Sequence, residues 1–79
     1  MKTTIEILEV FHEQAEGKLI EKKINLRAAE RRALVIKPGK DYAEIETSIV
    51  NFKLSVKNLT TMLEVIDDMI KEEKKGNKK

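Results

Sequence analysis

The chain is predicted to be all-α: a long antiparallel helical hairpin of coiled-coil type that assembles into a four-helix bundle. Three observations predict this. First, from Tyr42 onward apolar residues fall at Ile45, Ile49, Phe52, Val56, Leu59, Leu63, Ile66 and Ile70. The steps alternate three and four, which is the seam of a helix packed lengthwise on another helix. Second, the 79 residues include only three glycines and one proline, while 38% are charged. That composition favours long helices over sheet. Third, the only strong break inside the chain is Lys37-Pro38-Gly39-Lys40, where proline disfavours helical backbone in the residue before it.

The elements follow in order. Thr3 is placed to cap the first helix, with Glu6 as the reciprocal partner of a capping box. The helix is expected over about residues 4–35. Gly17 costs about 1 kcal/mol in its interior relative to alanine, and Asn25 is able to cap a new helix starting at Leu26. A break near Gly17 or Asn25, giving three helices, is the competing parse. A strand over residues 18–26 is disfavoured, because Ile20 and Ile24 keep helical spacing. Residues 37–40 form the loop. Asp41, with Glu44 three residues on, reads as the cap of a second helix over about residues 41–74. Residues 1–75 thus make one hairpin domain, and residues 76–79 a flexible basic tail.

Two helices joined by so short a loop fold back antiparallel. Reflecting the second seam about the loop pairs residues whose numbers sum to 78. Ile70 then meets Leu8, Ile66 meets His12, Leu63 meets Ala15 and Leu59 meets Leu19. Val56 meets Lys22, Phe52 meets Leu26, and Ile49, Ile45 and Tyr42 meet Ala29, Ala33 and Ile36. Most of the reflected positions are apolar, and three alanines face large residues, which lets the layers interdigitate. The same register brings Glu6, Glu9 and Glu13 near Lys71, Lys74 and Lys75. Lys22 reads as a seam lysine whose stem packs while its ammonium reaches water.

The net charge of +2 is small but unevenly spread. Residues 1–16 carry −3, residues 17–40 carry +6, residues 41–70 carry −4 and residues 71–79 carry +3. There is no cysteine, so neither a disulfide nor thiolate chemistry is available. No apolar run approaches the ~20 residues of a membrane span, and no signal-peptide pattern opens the chain. A soluble, cytoplasmic protein is expected, with no membrane partner.

Apolar residues left off the seam carry the functional reading. Ile7, Val10 and Phe11 flank Leu8; Met62, Val65 and Met69 lie beside or beyond the second seam. Both groups fall at the open end, away from Pro38. A two-helix hairpin cannot cover them all, so they are the predicted interface with another chain. Methionine suits such adaptable surfaces. A homodimer is expected, along with a protein partner whose identity the residues do not specify.

The basic block offers a second surface. Lys18, Lys23, Arg27, Arg31 and Arg32 are the candidate contacts to RNA or DNA, through counterion release. Glu21 and Glu30 interrupt the block, and no interleaved aromatic provides a stacking platform. His12 is the only histidine. Glu9, Glu13 and Glu16 are its neighbours, but no Glu-x-x-His pair from another helix completes a carboxylate-bridged metal site. There is no phosphate loop, nucleophile elbow or zinc spacing. No catalytic residue, metal or cofactor is assigned. The Asn58-Leu59-Thr60 sequon is incidental on a helix.

The layout is similar to that of the plasmid RNA-binding hairpin ROP, whose helical pairs dimerise into a four-helix bundle. Type III secretion needle subunits share the size and the helix–loop–helix plan. No residue motif aligns with either, so the resemblance implies a layout and transfers no binding residues. The function expected from the residues is a non-enzymatic protein-interaction module: a regulator, inhibitor or assembly subunit. The alternative is a nucleic-acid-binding regulator that uses residues 18–40.

Overall fold

A computed structural model describes residues 2–76. The described residues form two helices, α1 over Thr4–Val35 and α2 over Lys40–Gly76, with no strand among them. The helices hold 32 and 37 residues, or about 48 and 56 Å at ~1.5 Å per residue. They pack antiparallel along their length into a hairpin 63 × 18 × 15 Å.

The N-terminus of α1 forms as its sequence dictates. Glu6 N–H donates to Thr3 Oγ1 at 3.2 Å, and Thr3 N–H donates to Glu6 Oε1 at 3.1 Å. Two backbone donors that the helix cannot satisfy are thereby paired. The helix runs unbroken through Gly17 and Asn25, so the three-helix parse is not adopted. Continuous packing on α2 outweighs the local cost of one glycine. α1 ends at Ile36, whose backbone is extended and whose N–H donates to Arg32 O at 3.2 Å.

The start of α2 corrects the expectation. The helix begins at Lys40, and Ala43 N–H closes the first turn on Gly39 O at 3.1 Å. Gly39 therefore occupies the capping position, which glycine tolerates well. Asp41 lies inside the first turn. There its carboxylate meets the positive end of the helix dipole instead of capping it. The loop is 36–39, not 37–40, and α2 continues to Gly76, two residues past the expected end. Of the expected tail, residues 77–79 lie outside the described residues.

The seam is the one read from the spacing. On α2, Ile45 and Ile66 are buried and Tyr42, Ile49, Phe52, Val56, Leu59, Leu63 and Ile70 are half-buried. On α1, Leu8 and Ala15 are buried; His12, Leu19, Lys22, Leu26, Ala29, Ala33 and Ile36 are half-buried. Among the described residues only four are truly buried, because a two-helix layer leaves each seam side chain open on its flanks. Three of them, Leu8, Ala15 and Ile66, form one cluster with Leu63 and Ile70 packed against it.

Two polar contacts tie the helices across the seam. His12 Nε2 lies 3.0 Å from Asp67 Oδ1, one residue from its expected partner Ile66. Lys22 does not simply reach water beside Val56. Its ammonium sits 5.9 Å from the centroid of the Phe52 ring, one turn towards the loop. The electron-rich ring face attracts the cation while the stem packs in the seam.

Candidate functional site

At about 100° per residue, α1 and α2 each present two edges flanking the seam. Because the helices are antiparallel, each edge of the hairpin combines one flank of both. One edge of the open half is apolar. There Phe11 and Met62 line a single open groove floored by Leu8, Ala15 and Ile66. Phe11 is 55% exposed and Met62 51%. Ile7 lies one turn before Phe11, and Met69 two turns beyond Met62, on the same edge; both are exposed. Gln14 and Lys18 form its polar rim.

The other two predicted interface residues are placed differently. Val10 and Val65 are exposed; helical spacing carries Val10 round to the outer face of α1, whereas Val65, one turn before Met69, stands at the outer margin of the same edge, as Ile7 does. Ile7, Phe11, Met62 and Met69 therefore share an edge with Val65 at its outer margin, while Val10 stands on the back of α1.

The opposite edge of the open half is charged. His12 has Nδ1 2.8 Å from Glu16 Oε1 and Nε2 3.0 Å from Asp67 Oδ1. A neutral imidazole donates through one nitrogen only; donation to both carboxylates requires the imidazolium. Glu9, Glu13 and Lys74 line the same groove. Of the glutamates and lysines expected to approach one another, Glu9, Glu13 and Lys74 share this groove, but among the described residues no Glu–Lys pair lies within 4.0 Å, and the acid–base contacts inside that distance are both made by His12, which is charged only when protonated. No group of three or more described His, Asp or Glu side chains is arranged to hold a metal ion. The His12–Asp67 pairing was missed from the sequence, although the register had placed Asp67 beside the histidine's partner.

The basic block does not form one face. Lys23, Arg27 and Arg31 line up on the outer side of α1 beside Ile20, Ile24 and Ala28. Lys18 belongs to the apolar edge. Arg32 lies by the loop with Asp41 and Glu44. The five candidate nucleic-acid contacts are thus divided three and two.

Among the described residues, no helix is long and apolar enough to cross a membrane. Compared with known proteins, the chain matches no family model, and neither a curated protein nor a solved structure is significantly similar to it.

Proposed function

We propose that the protein is a small non-enzymatic interaction module of the cytoplasm, a regulator, inhibitor or assembly subunit that acts as a self-associating helical hairpin. The observation that carries this reading is the apolar groove in which Phe11 and Met62 each leave about half their surface in water. Ile7 and Met69 extend it along the same edge. Burying each large side chain contributes on the order of 1.5–3 kcal/mol, a large share of the stability of so small a domain. The closed arrangement that covers the patch with itself is a two-fold dimer. Two hairpins meeting this way make a four-helix bundle with a continuous core.

Sedimentation of the wild-type chain at tens of micromolar, roughly the range for contacts of this kind, tests the reading. A dimer is expected, and Phe11→Asp combined with Met62→Asp is expected to give monomers of reduced stability. A wild-type monomer refutes self-association through this edge. The RNA- or DNA-binding alternative has weaker support, since Lys18 and Arg32 stand apart from the Lys23–Arg27–Arg31 row.

A further inference from the structure

The outer faces of the two helices carry matched rows of opposite charge. On α1, Ile20, Ile24 and Ala28 form an exposed ridge at spacing four, and Lys23, Arg27 and Arg31 form a second ridge beside it. On α2, Thr61, Val65 and Met69 form an exposed ridge at the same spacing, and Glu64, Asp68 and Glu72 form the ridge beside it. The offset is the same on both helices: each charged residue follows its uncharged neighbour by three positions. Three residues turn a helix by about 300°, so each charged ridge lies about 60° to the same side of its uncharged ridge.

We infer that the outer face of α1 in one copy of this chain docks antiparallel on the outer face of α2 in a second copy. The direction follows from the offsets. Facing antiparallel helices bring flanks of the same sense together, so the basic ridge meets the acidic ridge. A parallel pairing sets them on opposite sides of the contact. The combination also follows from charge. Pairing α1 with α1 sets basic ridge against basic ridge, and pairing α2 with α2 sets acid against acid; only α1 with α2 is complementary. Among the described residues, none of these six ionised groups has an opposite charge within 4.0 Å in its own chain, so all are free to pair with a neighbour.

The ridges also set the register. With Ile24 opposite Val65, Ile20 faces Met69 and Ala28 faces Thr61. Arg27 then comes nearest Glu64, and Lys23 falls midway between Glu64 and Asp68. Inside one hairpin facing residue numbers sum to 78; across this contact 24 and 65 give 89. Each added copy is therefore shifted by 11 residues, about 16 Å at ~1.5 Å per residue. A contact between unlike surfaces with an axial shift does not close into a ring. It generates an open, staggered array. This contact is separate from the two-fold dimer of the apolar edge and does not depend on it; only Val65 and Met69 border both.

Charge reversal tests the inference. Lys23→Glu with Arg27→Glu makes both outer faces acidic, and Glu64→Arg with Asp68→Lys makes both basic. All four positions are exposed, so each variant is expected to keep the wild-type helical circular dichroism. Wild type is expected to grow beyond a dimer at roughly 100 μM, in the range where interfaces of modest size associate, and to shrink as salt rises. Either variant alone is expected to lose this growth by on the order of tenfold or more in association constant. An equimolar mixture is expected to restore it, because every α1–α2 contact between unlike variants is again complementary. Repeating the mixture with Phe11→Asp and Met62→Asp present separates this contact from the dimer: growth persists if only the apolar edge is lost. As a check on register, Ile24→Cys in one preparation and Val65→Cys in another are expected to join through a short bis-maleimide when mixed, in a chain that has no other cysteine. Failure of the mixture to restore growth overturns the inference, as does cross-linking no faster than for Ile24→Cys alone. Binding of single-stranded RNA that the α1 reversal abolishes, with assembly size unchanged by either reversal, also overturns it and assigns the basic ridge to nucleic acid.

Discussion

The two halves of the hairpin hold together differently. The open half contains three of the four described residues that are buried, Leu8, Ala15 and Ile66, joined into one cluster with Leu63 and Ile70. It also has the His12–Asp67 contact between helices. The loop half has one buried residue, Ile45, and its large side chains Leu34 and Val35 are each 85% exposed. Near the loop the chain itself keeps the helices together, so little packing is needed there. Far from the loop nothing covalent opposes fraying, and contacts must do the work that connectivity does at the other end. The same half also exposes the broad apolar edge, so the region with most of the core is the region with most to gain from a partner.

The largest expected effect compares the two buried isoleucines. Ile66→Ala removes a member of the core cluster and is expected to destabilise by about 2–4 kcal/mol, within the range for such truncations. Ile45→Ala, which is as buried but lies outside the cluster, is expected to cost about 1–2 kcal/mol less, since its neighbours are themselves only half-buried and less close packing is lost. Urea unfolding of both variants measures the difference, and equal losses would break the contrast between halves.

The far end of α1 gives the next effect. Thr3→Ala removes the side-chain acceptor for Glu6 N–H and is expected to cost about 1 kcal/mol. Hydrogen exchange should speed up in the first turns of α1 and leave the Val35–Lys40 region unchanged. Protection lost equally at both ends would mean that the halves unfold as one unit.

Gly17→Ala acts in the opposite direction. A Cβ placed on Gly17 meets nothing within 4 Å, so the substitution adds helix propensity without a clash. A gain of about 0.5–1 kcal/mol is expected, read as a higher melting temperature.

The smallest effects come from the two polar ties. Double-mutant cycles on His12–Asp67 and on Lys22–Phe52 are each expected to give couplings of about 0.5 kcal/mol, because the first pair is partly exposed and the second is at the outer limit of cation–π range. Coupling above about 2 kcal/mol in either cycle would mark a tie stronger than an exposed pair supplies and would move stability away from the apolar cluster.

Much of this protein is determined by the sequence alone. The three–four spacing from Tyr42 to Ile70 specifies helix, face and length, because helical period is a local property of the backbone. Thr3 and Glu6 specify where α1 begins, since both partners of the capping box lie within one turn. Pro38 and Gly39 specify the reversal, and the hydrophobic pattern then leaves one antiparallel register that matches apolar to apolar. Only the tertiary structure decided which of two near-equivalent capping residues starts α2, where Gly39 displaced Asp41. It alone decided that Lys22 turns to Phe52 rather than to water beside Val56, and that His12 meets Asp67 rather than Ile66. It also brought Phe11 and Met62 from the two helices into one groove, and split the basic block between opposite sides of α1. The physical reason is reach. A side chain spans about one helical turn in any of several directions, so a register correct to one residue fixes the fold while leaving the last contact of each long side chain to its three-dimensional neighbours.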